Sequence, residues 1–183
     1  MMMSPGAGQI STDTAEALMR RALDEARDNL DRGGVPIGSV IAVRGGDVLA
    51  LGRNTKHETG EPLAHAEVNA LRELGRLLRE RDASDDPTNG DTIEPRRLVL
   101  VSTLEPCVMC LGAALEMGLG GVVYGLEAPS NGAGSRVRDE RRMPSVRGGV
   151  LRAPCRELFE RYAAARPDAD AAGFVNTLLR LTE

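Results

Sequence analysis

The stretch "RRLVLVSTLEPCVMCLGAALEMGLGGVVYGLE" constrains the fold more than any other part of the chain. A strand with one face in water alternates apolar and polar residues, whereas "RRLVLVS" is nearly continuous in apolar ones, so it is expected at the centre of a sheet covered on both faces. A helix over "EPCVMCLGAALEMG", with Pro106 in its first turn and Gly118 past its end, separates it from a second apolar strand, "GVVYGLE". Strand, helix and strand so close together make a crossover.

Upstream, Ala15, Leu18, Met19, Ala22, Ala26 and Leu30 recur at helical spacing from Asp13, the expected N-cap, until Gly33 and Gly34. "VPIGSVIAV" and "GDVLALGRN" read as a hairpin turning at "RGGD". After the polar loop "TKHETGEP", a helix is expected over 65–79, burying Val68, Leu71, Leu74, Leu77 and Leu78. "DASDDPTNGDTIEP" reads as a solvated linker. Beyond "GVVYGLE" come a long glycine- and arginine-rich loop, a short strand at "VLR", a helix over 154–166 and a last one over 171–181.

A chain of 183 residues can close one core and is short for two, so one domain over 13–183 is expected after a flexible tail, 1–12. That tail lacks the basic and apolar regions of a signal peptide, and no run is long enough to span a membrane. A net charge of -4 and 2% aromatic residues argue against a broad nucleic-acid surface and favour a small substrate. Cys107, Cys110 and Cys155 cannot all pair within one chain, which fits a reduced, cytoplasmic setting. Cys155 opens a helical pattern beside Leu158, Phe159 and Tyr162 and reads as a core residue.

Cys107 and Cys110 stand in C-x-x-C spacing at the head of one helix, and His65 heads another. A helix N-terminus favours thiolate, and two thiolates with one imidazole give three ligands for tetrahedral zinc with a fourth position open for water. His57 could close that position, but its loop reads as surface. Glu67, two residues after His65, points elsewhere than the ligand and suits proton transfer beside the metal. Either half of the pattern alone is weak: H-x-E is common in first turns, and C-x-x-C also serves redox pairs.

Together, "HAE" and "PCVMC" match the zinc-deaminase pattern H-x-E…P-C-x-x-C, and the chain resembles the cytidine and deoxycytidylate deaminase superfamily. "TLEPCVMCLGAAL" and "GGVPIGSVI" are most similar to the branch holding bacterial tRNA adenosine deaminase, guanine deaminase and fungal cytosine deaminase. The resemblance runs from about residue 13 to 126 and fades in a divergent region from about 128. It implies a three-layer α/β/α fold with a mixed five-stranded sheet, one zinc per chain on His65, Cys107 and Cys110, and Glu67 as the catalytic proton carrier. The implied reaction replaces an amino group on a ring carbon by a keto oxygen, releasing ammonia. Asn54 is implied to contact the base, with the backbone carbonyl of Glu105 and N–H groups near Cys107 holding the reacting groups. A homodimer, whose partner can complete the pocket, is a further implication.

A C-terminal helix can cover the active site in such relatives, so Phe174, or the acidic Asp168 and Asp170, is expected to line a lid. Arg136, Arg138, Arg141, Arg142 and Arg147 form a basic cluster without aromatic residues and read as a solvated loop. The leading expectation is deamination of a nucleobase, nucleoside or related heterocycle. A tRNA wobble-adenosine deaminase is the second reading, against which the acidic charge and divergent tail count. The third is a non-catalytic zinc-stabilised module, which has no need of Glu67.

Overall fold

The first helix, α1 (Thr12–Asp31), is capped by Ser11 instead of Asp13: Ser11 Oγ accepts the Thr14 N–H at 3.1 Å. Asp13 falls in the first turn, where a carboxylate suits the helix dipole. The computed structural model describes residues 10–82, 93–133, 136–137 and 143–183. Residues 1–9 of the expected tail and most of the expected linker lie outside them, whereas Ile10 packs against the core.

Gly33, at φ 89°, ends α1, and the chain enters the hairpin of β1 (Gly38–Val43) and β2 (Val48–Arg53). Gly46 takes φ 109° in the turn, a conformation that glycine adopts without strain. The polar loop that follows contains a single-turn helix, α2 (Lys56–Thr59), and leads to α3 (Ala66–Asp82). On α3 the buried apolar positions are Ala66, Ala70, Leu71 and Leu74, while Val68, Leu77 and Leu78 are half-buried. Small residues prevail there because the helix lies close to the sheet. A methyl group at Gly52 would overlap the Ala66 carbonyl, and one at Gly38 would overlap the Ala22 carbonyl of α1.

The apolar run forms β3 (Leu98–Leu104), buried along its whole length. Leu98 and Leu100 enter the core shared with α3, while Val99 and Val101 enter the core shared with α1. Each such burial contributes about 1.5–3 kcal/mol, so this strand anchors both layers. Next come α4 (Val108–Glu116), β4 (Gly121–Leu126) and β5 (Ser145–Arg147). Cys107 is the N-cap of α4, so Pro106 lies just before the helix and not in its first turn.

The sheet order is β2-β1-β3-β4-β5. Strands β2, β1 and β3 pair antiparallel, and β3, β4 and β5 pair parallel. The expected strand at "VLR" is absent: the fifth strand lies at 145–147, and Gly148 and Gly149 end it. Val150 and Leu151 turn the chain, with Leu151 at φ 50°, and Arg152 opens the next helix.

That helix, α5 (Arg152–Ala165), packs with α1 beneath one face of the sheet, and α6 (Ala172–Leu181) packs on α5. Arg156 Nη1 donates to Leu179 O at 2.9 Å and to Thr182 Oγ1 at 2.7 Å, fixing the end of α6. With α3 and α4 on the other face, the architecture is three-layer α/β/α with a mixed five-stranded sheet. No helix among the described residues is long and apolar enough to cross a membrane.

Candidate active site

His65 immediately precedes α3, and its carbonyl accepts the Asn69 N–H at 2.9 Å, so it stands at the head of that helix. Cys107 and Cys110 stand at the head of α4, three residues apart and therefore on the same side of its first turn. The two heads converge. Cys107 Sγ lies 3.8 Å from His65 Nδ1, Cys110 Sγ lies 3.6 Å from it, and the sulfurs are 3.5 Å apart.

An ion about 2.3 Å from each sulfur and about 2.0–2.1 Å from nitrogen in tetrahedral geometry requires S–S and N–S edges of roughly 3.6–3.8 Å. The three atoms fit zinc on that measure. Among the described residues, this is the one group of His, Cys, Asp and Glu placed to hold a metal ion. His57 is exposed on α2 and outside that group.

Hydrogen bonding from the Cys110 thiol, with His65 adding to it, draws Cys107 down to about 4, and the same thiol pair pushes Cys110 up. Contact with Cys107 raises His65. Glu67 is only 4% exposed, and burial raises its pKa from the ordinary carboxylate value. Its carboxyl group faces the Cys110 thiol and accepts a hydrogen bond from Ser102 Oγ at 3.4 Å. Ser39 Oγ donates to Ser102 Oγ at 3.1 Å, because the pairing of β1 with β3 sets these two buried serines side by side.

Asn54 is buried at the end of β2, where its N–H donates to Ile37 O at 3.0 Å. Its Oδ1 accepts the Lys56 N–H at 3.2 Å, the local turn bond common for asparagine, which leaves the NH2 half of the amide as its donor. Asn69 on α3 reaches the same segment, donating from Nδ2 to Arg53 O at 2.9 Å and Thr55 Oγ1 at 3.0 Å. The Glu105 carboxylate accepts the Ala128 N–H at 2.9 Å, and the Ala133 N–H donates to Pro106 O at 2.9 Å. Residues 128–133 are thereby laced along 105–107.

Part of this group lines a cavity of about 720 Å³. Its walls include Asn54, His65, Glu67, Glu105 and Cys107 from the first part of the chain, and Tyr162, Arg166, Asp168, Asp170 and Phe174 from the last. Lys56, His57 and Asn131 also reach it. Tyr162, Arg166 and Asn131 were not legible as cavity residues, because only the packing of α5 and of the loop at 128–133 brings them there. Within the basic cluster, Arg138, Arg141 and Arg142 lie outside the described residues. Arg136 donates to Ser130 O at 2.6 Å and Arg147 to Thr12 Oγ1 at 3.1 Å, both away from the cavity lining. Cys155 is fully buried against Met19, as expected of a core residue.

The model of the cytidine and deoxycytidylate deaminase zinc-binding region matches residues 12–126. A tRNA(Ile)-lysidine synthase from Deinococcus radiodurans is 39% identical over 146 residues, which are 77% of this chain and 23% of the synthase. The chain therefore spans about a quarter of that relative. A tRNA-specific adenosine deaminase from Streptococcus pyogenes is 30% identical over 79% of this chain and 86% of its own length. Among solved structures, guanine deaminase from Nitrosomonas europaea superposes with a TM-score of 0.65 at 27% identity, covering 90% of this chain and 98% of that one.

Proposed function

The chain belongs to the cytidine and deoxycytidylate deaminase zinc-binding family, and on that premise we propose that it is a zinc-dependent hydrolase deaminating a free nucleobase, nucleoside or related amino-heterocycle. One observation carries the choice of a small substrate. His65, Cys107 and Glu67 open onto a cavity of about 720 Å³ walled in part by the chain's own C-terminal residues, a size suited to a small molecule.

Zinc held by His65 Nδ1 and the Cys107 and Cys110 thiolates supplies a Lewis acid that makes water nucleophilic near neutral pH. The remaining work falls to the chain. Glu67 accepts the proton released as water adds to the amino-bearing ring carbon. It passes that proton to the ring nitrogen, then takes the second proton from the new hydroxyl group and gives it to the departing amine. The carbon–nitrogen bond breaks, ammonia leaves, and the ring carbon keeps the oxygen. The burial that raises Glu67 makes its carboxylate a stronger proton acceptor than an ordinary exposed one. The Asn54 NH2 donates to an acceptor on the ring edge. By the family resemblance, the backbone carbonyl of Glu105, a residue of the cavity wall, receives the substrate's amino hydrogens. Phe174 offers a ring face for the heterocycle to stack on.

The name of the Streptococcus relative favours a second reading, in which a wobble adenosine in tRNA is the substrate. The balance of Lys56 and Arg166 against Asp168 and Asp170 in the cavity counts against a polyanion. The deciding experiment measures ammonia release from adenine, guanine, cytosine, their nucleosides, triazines and a tRNA anticodon stem-loop, with Glu67→Gln alongside. At least one free heterocycle is turned over, and Glu67→Gln loses about 10²–10⁴-fold of that rate while retaining zinc. Activity confined to the stem-loop transfers the assignment to tRNA, and none on any substrate makes the chain a zinc-stabilised module.

A further inference from the structure

Asn69 is not a cavity residue, yet both its amide hydrogens serve the segment that carries Asn54. It sits one helical turn after His65 on α3, half-buried, with its own N–H bonded to the His65 carbonyl at 2.9 Å. Its side-chain nitrogen donates to Arg53 O at 2.9 Å and to Thr55 Oγ1 at 3.0 Å, the residues on either side of Asn54. These two acceptors lie where β2 ends and its ladder to β1 stops, since Gly38 opposite Arg53 is the last pair. Past that pair one more bond joins the two segments, from Asn54 N–H to Ile37 O at 3.0 Å, and beyond it the chain is held by contacts to α3 and its entry. Thr55 N–H donates to Ala64 O at 3.0 Å, which ties the same segment to the residue before His65.

We propose that Asn69 is a positioning residue that locks the Asn54 amide to the helix bearing His65 and Glu67, so that the substrate-reading group and the reacting groups move as one body. The proposal rests on the reading of Asn54 as a substrate contact. An ordinary helix-surface asparagine would stabilise α3 and do nothing else. The straddling geometry specifies more, because two bonds of 2.9 and 3.0 Å to its two neighbours hold Asn54 in place while the Lys56 N–H on its Oδ1, at 3.2 Å, sets the direction of its side chain.

The test compares Asn69→Leu, Asn69→Gln, Asn54→Ala and the Asn54→Ala/Asn69→Leu pair in steady-state kinetics on the heterocycle that the protein turns over, with zinc content and thermal midpoint measured in parallel. Asn69→Leu keeps the volume and removes both donors. It raises KM about tenfold, the scale of losing two ordinary hydrogen bonds, with kcat within about threefold and one zinc per chain retained. Asn69→Gln, which keeps the NH2, recovers part of the loss. The double variant is no worse than Asn54→Ala, because Asn69 acts through Asn54. Where Asn69→Leu does not fold, Asn69→Ser serves the same comparison.

An unchanged KM in Asn69→Leu beside a raised KM in Asn54→Ala overturns the proposal and leaves the Asn54 reading standing. So does a lowered thermal midpoint with unaltered kinetics, or full additivity in the double variant. An unchanged KM in both single variants removes the Asn54 reading, and the proposal falls with it.

Discussion

Cys107 and Cys155 carry the same thiol into opposite environments. Cys107 is drawn to about 4 by the neighbouring thiol and His65, whereas burial pushes Cys155 up to about 12. A thiol whose pKa is raised on folding stabilises the protein fully below its unfolded value, near 9.0, and loses that contribution as pH rises towards 12. The thermal midpoint is therefore expected to fall between about pH 9 and 12, and to fall less steeply in Cys155→Ala; equal slopes in calorimetry on the two proteins would refute this. His65, Cys107, Cys110 and Glu67 could be singled out in the sequence because their identities and spacing point to one chemistry, and the fold brings the first three within reach of one metal ion with Glu67 beside Cys110. Ser39, Ser102 and Asn69 were not, because each is an ordinary polar residue until strand register or helix packing gives it a partner. Asn54 was readable through resemblance alone, and its turn-forming bond to Lys56 was the role its sequence context suggested without it.

Glycine, not an apolar side chain, sets the depth at which α3 rides on β2. A methyl group at Gly52 would overlap the Ala66 carbonyl and crowd the Ala70 nitrogen, forcing the helix outward. Since His65 stands at the head of that helix, the displacement widens its gap to Cys107 and Cys110. Gly52→Ala is expected to destabilise the fold by about 1–3 kcal/mol and to lower the zinc content of purified protein, read by thermal melting and metal analysis. A substoichiometric metal load in a well-folded Gly52→Ala protein would isolate the geometric effect. At this scale the sequence reading succeeded where the apolar pattern was strong, periodic in α1 and α3 and continuous in β3, and slipped at short elements. "VLR" has strand composition, but two glycines and the left-handed Leu151 turn it into a helix entrance, while the polar "SVR" gains its place by pairing beside β4.

Across the whole molecule, a net charge of -4 gives no general attraction for phosphate. Turnover of a free heterocycle should change less than about threefold between 50 and 200 mM salt, whereas binding driven by six or more phosphate contacts loses about 10³-fold or more over that range. A titration of activity against salt separates the two. The three-layer arrangement was legible from the spacing of strands and helices and from the resemblance. The composition of the cavity was not, since residues a hundred positions apart meet there only through the packing of α5 and α6. The family match ends at residue 126, yet Tyr162, Arg166, Asp168, Asp170 and Phe174 help wall the cavity. Heritable change can therefore fall on the two stretches separately. After a gene duplication, drift in the later stretch would alter which molecules are admitted while the bond-breaking apparatus is inherited intact, a short route by which one ancestor could leave descendants with different diets.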